Sequence, residues 1–406
     1  MEHSVQKLLA QRILALACGY KDLNDHDTLR TDPLFAVAVG KSDPLGTRRS
    51  CGRDHGVPLA SHSTLNRIEL APATIDKRRP DLKILHDREA LEDLFVDAYD
   101  APPTSIVLDV DAPDIPLHGK QEGVFFHGYY DAYCYLPVYV FCGSHLLAAK
   151  LETADHGESK GALPELMRIV AHIRSRWPDV HILIRGDSGY CRDGLMDGCE
   201  STHGVDFVVG MAKNARRLRG IEGELQAVRQ LCETNHAPAR TFKERRYRTK
   251  KAWTRERRVQ AKAEHIPGKS NARFIVTSLP TEHTDARALY EDVYCARGDL
   301  ENRIKEQQIG LFADRASGHA LHTNQVRLWR SAFAYVLVDT LRRTALRGTK
   351  LERAQAWTLR NRLFKIGALI RVSVRRVRVS LSSAFPYQEL FATARANLRI
   401  SFPGVF

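Results

Sequence analysis

The chain has 406 residues, with 61 Lys and Arg against 48 Asp and Glu, a formal net charge of +13. That length allows two or three domains around sizeable cores. A content of 43% hydrophobic and 27% charged residues excludes a disordered chain. The basic excess points to a polyanionic partner, nucleic acid ahead of an anionic membrane surface.

Val5, Leu8, Leu9, Ile13, Leu16 and Ala17 recur at helical spacing, so an amphipathic helix is expected over residues 1–18, ended by Gly19. No basic segment followed by an apolar core opens the chain, so no signal peptide is expected. The acidic run after Gly19 lacks the glycine and closing glutamate of a calcium loop. Ser61-His62-Ser63-Thr64-Leu65-Asn66-Arg67 reads as a short capped helix, suited to a helix-turn-helix or to an ordinary surface. Residues 105–111 read as a strand. Strands at 133–142 and 145–152 follow, joined by Cys142-Gly143-Ser144. This region holds the longest stretch free of Asp, Glu, Lys and Arg, Ala132 to Ala149, and its Pro137 and Gly143 argue against a membrane span. A helix is expected over 161–177, a strand over 180–187, a short helix over 192–202 and a strand at 207–209. That alternation implies an α/β sheet. Residues 212–280 break the rhythm, with a helix near 215–233 and β segments at 240–263 and 272–279. Long helices are expected over 291–308 and 322–343. The eight cysteines form no Cys-x-x-Cys pair, which suggests reduced thiols and no zinc site.

Asp109 and Asp111 lie two apart in one strand and so share a face. Asp187 ends a second apolar strand. If the strands are parallel neighbours, their ends bring these carboxylates together, where α/β sheets place ligands. Close carboxylates repel, so some must be protonated or a divalent cation must be bound. Alternatively each Asp caps a strand end. On a helix, Tyr294, Arg297, Glu301, Lys305 and Gln308 form one stripe, which offers a carboxylate flanked by cations and a phenol, or merely an exposed i,i+4 pair.

Taken in order, Gly19-Tyr20-x-Asp22, Leu29-Arg30-x-Asp32-Pro33, Leu108-Asp109-x-Asp111, His118-Gly119-x-Gln121-Glu122-Gly123 and Asp187-Ser188-Gly189-Tyr190 form a specific series. It continues in Tyr294-x-x-Arg297-Gly298-x-x-Glu301-Asn302-x-Ile304-Lys305-Glu306, Asp314-Arg315-x-Ser317 and Asn324-Gln325-x-Arg327-Leu328. The series resembles bacterial insertion-sequence transposases of the DDE class, and among them the insertion-sequence thirteen-eighty family, related to the Tyr-Arg-Glu-Lys transposases. The resemblance implies an α/β fold: an RNase H-like catalytic core with a β-rich insertion, plus a helical N-terminal DNA-binding region. The implied regions are 1–100 (N-terminal DNA-binding), 101–211 (first part of the core), 212–283 (insertion), 284–345 (second part of the core, carrying Glu301) and 346–406 (basic C-terminal region). It implies Asp111, Asp187 and Glu301 as an acidic triad holding two Mg²⁺ ions, for which Mn²⁺ can substitute, with Asp109 the other candidate for the first position. Tyr294, Arg297 and Lys305 would hold phosphates. The Lys of the related signature stands seven residues after Glu, where this chain has Gln308.

The implied activity is metal-dependent cleavage at insertion-sequence ends and strand transfer into target DNA, by a homodimer on double-stranded DNA in the bacterial cytoplasm, at the nucleoid. Rival readings are an inactive DNA-binding relative or repressor, and an RNase H-like nuclease. From Arg240 to Arg258 ten of 19 residues are Lys or Arg, with Phe242, Tyr247 and Trp253 interleaved. Arg245, Arg246, Lys250 and Lys251 are candidate phosphate contacts there, and Trp253 a candidate for stacking on a flipped base. The alternative is that the aromatics pack beneath a solvated ribbon. Arg360 to Arg378 contains seven cations and no Asp or Glu, with Arg375 and Arg376 as candidates for a second phosphate surface.

Overall fold

A computed structural model describes residues 3–71, 87–155, 157–250, 252–282, 284–373 and 376–401. They divide into two units: 1–88, 115–124 and 304–406 make the first, and 89–114 with 125–303 the second. No helix among the described residues is long and apolar enough to cross a membrane.

The second unit is built on an eight-stranded mixed sheet. Its order across is His145–Lys150, Val138–Cys142, Ser105–Asp111, His181–Gly186, Val205–Met211, Lys269–Thr277, Arg257–Ile266 and Ala239–Tyr247. The three strands from Ser105 to Met211 run parallel and all other pairings are antiparallel. Both faces are covered, as parallel strands require. On one face Ile106, Leu108, Val110, Ile182 and Ile184 pack under the Glu158–Arg176 helix, through Leu166, Ile169 and Ile173. On the other, Leu183, Val208 and Ile275 meet Leu289 and Tyr290, with Val107 at the edge of that cluster. The period of two therefore turns Asp109, Asp111 and Arg185 toward the second face.

Three sequence expectations change in detail. The 133–142 strand divides into Ala132–Tyr135 and Val138–Cys142 around Pro137, which has no N–H for a ladder. The 240–263 segment is two antiparallel strands joined around Trp253, and with Lys269–Thr277 they extend the same sheet. The helix near 215–233 breaks at Gly220 into Ala215–Arg219 and Glu222–Asn235. An added Cβ at Gly220 would lie 2.0 Å from Arg245 Nη1. The segment carrying Glu301 is helical throughout 286–310 but irregular, with π-helical turns at Leu289–Tyr294 and Glu306–Gly310 flanking a regular stretch at Gly298–Lys305. Such π turns recur at functional sites.

In the first unit the Val5–Cys18 helix begins at Ser4, whose hydroxyl accepts from the Lys7 N–H, and ends at Gly19 with φ of 95°. Arg360 closes that end, donating to Leu16 O at 2.7 Å and Ala17 O at 2.8 Å, where the helix dipole favours a cation. Val5, Leu8, Ala60, Leu65 and Ile68 form a small core with the His62–Glu69 helix. Ser61 opens that helix, but its hydroxyl meets Ser63 and Thr64 rather than capping the backbone.

Candidate active site

The Ser105–Asp111 and His181–Gly186 strands pair in a register that sets Asp109 opposite Arg185 and Val110 opposite Gly186. Their carboxyl ends thus lie side by side, with Asp111 and Asp187 just past the shared ladder. The two aspartates of the first strand do different things. Asp109 is only 3% exposed. Arg185 donates to both its oxygens, Nε to Oδ1 at 2.5 Å and Nη2 to Oδ2 at 2.8 Å, and a third guanidinium nitrogen donates to Val293 O. With both oxygens committed, Asp109 is not available as a ligand.

Asp111 sits at the strand end with its Oδ2 2.9 Å from Arg297 Nη2 and its Oδ1 accepting from the Ala112 N–H at 3.0 Å. Burial pushes its carboxyl above the usual range. Arg297 opposes this, while the charges of Asp187 and Glu301 add to it. Burial lowers the Arg297 guanidinium, but Asp111 and Asp187 more than reverse that and hold it charged. Arg297 Nε is buried without a hydrogen-bond partner. Asp187 caps the short turn Ser188–Tyr190, its Oδ1 accepting from the Gly189 N–H at 2.9 Å. Burial also raises the Tyr294 phenol; Arg297 pulls it back and the Asp187 charge adds to the rise. Gly210 makes this close approach possible, because a Cβ there would lie 2.6 Å from Tyr294 Oη and 3.0 Å from Ser188 N. Glu301 is exposed on the regular helical stretch, beside buried Leu300.

Asp111 and Asp187, at adjoining strand ends, are hard-oxygen donors of the kind that Mg²⁺ or Mn²⁺ takes. Among the described residues, however, no three His, Cys, Asp or Glu side chains stand close enough to hold one ion. Arg297 supplies the compensating charge at Asp111 instead.

The remaining expected contacts differ in exposure. Lys305 is exposed one turn after Glu301. Arg246, Lys250 and Arg376 are exposed, whereas Lys251 and Arg375 lie outside the described residues. Arg245 is half-buried, its guanidinium 5.1 Å from the Tyr247 ring centre. Trp253 does not present a stacking surface. It is 5% exposed, edge-on to Tyr247, with the Arg257 guanidinium over its ring. Much of the ribbon's charge is neutralised at home. Arg257 pairs with Glu200 and Asp193, Arg258 with Glu244, Lys243 with Glu224, and Arg240 with Glu291.

Sequence reasoning missed Arg185 and Gly210. It also missed the hairpin Phe125–His127 with Ala132–Tyr135, where Phe126, Tyr129 and Tyr133 are exposed. Tyr130 Oη donates to Ala112 O at 3.3 Å and ties this hairpin to the residue after Asp111. The signal for Arg185 was present: a cation inside an apolar strand, separated from Asp109 by the same 76 positions that separate Asp187 from Asp111.

Residues 1–401 match the family model described as Transposase DDE domain group 1. A comparison with curated protein sequences found no match. Among solved structures, the chain is similar to a piggyBac transposase in a cryo-EM synaptic complex with hairpin DNA, with a TM-score of 0.44 and 10% identity over 99% of this chain and 73% of that one. The family match runs through the carboxylate-bearing strands and the Glu301 helix alike, and the chain belongs to the DDE transposase family.

Proposed function

We propose that the protein is an insertion-sequence transposase of the thirteen-eighty type on an RNase H-like core, which cleaves DNA at the element's terminal inverted repeats and joins the ends to target DNA. The carrying observation is that Asp111 and Asp187 stand at adjoining ends of parallel strands, with Arg297, four residues before Glu301, paired to Asp111. The strand order outward from Ser105–Asp111, two antiparallel neighbours on one side and two parallel ones on the other, supports the RNase H-like reading. Asp111, Asp187 and Glu301 would hold divalent ions, which when bound activate a water or a 3′-hydroxyl and stabilise the leaving oxygen. Arg297, released from Asp111, would turn its guanidinium to the scissile phosphate. Tyr294 keeps its phenol protonated beside Asp187 and can donate to a phosphate oxygen. Stacking on an unpaired base would fall to the exposed hairpin rings, not to Trp253. The partner is duplex DNA engaged by a homodimer, with Arg246, Lys250, Lys305 and Arg376 as exposed phosphate contacts.

The test is Asp187→Asn. Nicking of a duplex carrying the element's end should vanish in Mg²⁺ while binding of that duplex persists; parallel loss of both would overturn the reading. A second reading, a DNA-binding relative without cleavage activity, is favoured by the Arg297–Asp111 pair and the absence of a tight carboxylate cluster among the described residues. Wild-type protein that binds the end but nicks nothing across a Mg²⁺ and Mn²⁺ titration would select it.

A further inference from the structure

We propose that a cleft in the first unit, lined by Arg12, Phe312, Arg315, Arg327, Arg330 and Ser331, binds a phosphate group. Its volume is about 240 Å³. The sequence segments Gly19–Asp22, Asp314–Ser317 and Asn324–Leu328, which the cleavage chemistry does not use, converge here. At its floor lies Glu69, 1% exposed, and three arginines share its single charge. Arg330 Nη1 is 2.5 Å from one oxygen and Arg12 Nε 3.5 Å from the same one, while Arg327 Nε is 3.0 Å from the other. One carboxylate against three guanidinium groups leaves two positive charges in excess. Arg12 and Arg330 are 7% and 4% exposed, so this excess is held largely out of water. The Tyr20 and Lys21 carbonyls, which accept from Arg12, offset this only in part; buried charge in excess of its counter-ions is costly, and an anion in the cleft lowers that cost.

Two further observations point to a ligand. Ser331 Oγ is buried, faces the cleft and has no hydrogen-bond partner, and Arg330 Nε is likewise unpartnered. Phe312, on the wall, holds φ at 65°, a backbone conformation that aromatic residues rarely adopt, with Arg315 and Arg360 guanidinium groups over its ring. A hydroxyl and several fork-shaped donors together suit the three acceptor oxygens of a phosphate better than a carboxylate. At the rim Arg315 is paired with Asp22 at 3.0 Å, an exposed contact that an entering anion can replace.

The inference rests on the first unit alone, not on the cleavage reading. Inorganic phosphate, titrated into the full chain at constant ionic strength against chloride, should raise the melting temperature with the logarithm of its concentration above Kd, by roughly 5–10 °C at a hundredfold excess. Arg327→Gln, at a half-buried position, should weaken the response at least tenfold, and Asp187→Asn should leave it unchanged. Chloride raising the temperature as much as phosphate would mean an adventitious ion only and would overturn the proposal, as would an undiminished response in Arg327→Gln, or in Ser331→Ala should Arg327→Gln fail to fold. Equilibrium dialysis of labelled phosphate then separates the sources. Displacement by a short duplex assigns the site to the DNA backbone, and retention under saturating duplex assigns it to free phosphate.

Discussion

Replacing Asp109 and Asp111 separately by asparagine should give opposite phenotypes. Asp109→Asn leaves the Arg185 guanidinium buried, its side chain 8% exposed, opposite a neutral amide. Removing one partner of a buried pair costs about 3–5 kcal/mol. Asparagine keeps one acceptor, so about 3 kcal/mol is expected, a fall in melting temperature of roughly 6–12 °C for a unit of this size. Asp111→Asn removes a carboxylate that is 22% exposed and whose ionised form burial disfavours, and Arg297 still feels Asp187. Its stability change should be the smaller by far, while its nicking activity should be lost. Urea unfolding followed by circular dichroism, together with a nicking assay on folded protein, measures both quantities. A further variant removes both charges, Asp109→Leu with Arg185→Leu, and should recover much of the lost stability, because paired removal leaves no orphaned ion. Equal destabilisation by the two asparagine variants, or nicking lost in folded Asp109→Asn but kept in Asp111→Asn, would refute the division of roles.

Trp253→Ala should destabilise by about 3–5 kcal/mol, as truncation of a buried tryptophan does, and Trp253→Phe should retain DNA binding and nicking; a stable Trp253→Ala that fails only in a late cleavage step would restore the stacking role. Gly210→Ala should abolish nicking by driving a methyl group into Tyr294 Oη and the Ser188 backbone, and adding Tyr294→Phe should restore the melting temperature in part, a rescue read by calorimetry. Glu92 is fully buried beside Arg168, and burial pushes its carboxyl up to about 7, with Arg168 opposing and Glu165 adding to the rise. The folded state then keeps its proton where the unfolded chain, at about 4.3, has lost it. Stability should fall as pH rises from about 4.5 to 7, by up to about 3 kcal/mol, and Glu92→Gln should flatten that slope in urea unfolding series at stepped pH.

What was legible in the sequence, and what was not, divides along one physical line. Patterns carried within a single element were readable. The apolar stripe of Val5–Cys18, its end at Gly19, the turn at Gly143-Ser144 and the acidic ends of two apolar strands all follow from local periodicity and backbone preference. Properties that belong to pairs across elements were not. Asp109 and Asp111 look alike in their own strand, and only the neighbouring strand's Arg185 distinguishes them. From the sequence Trp253 could either stack on a base or pack beneath the ribbon, because its cover, Tyr247 and Arg257, comes from the strands on either side of it. The same reasoning limits what charge can say. Arg240, Lys243, Arg257 and Arg258 counted toward a DNA surface in one dimension, yet each meets a carboxylate in three. The basic excess of the chain is real, but part of it lies elsewhere among the described residues, as in the three arginines that share the one carboxylate of Glu69. A cation count locates a polyanion's partner only after the acidic residues that fold against it have been subtracted.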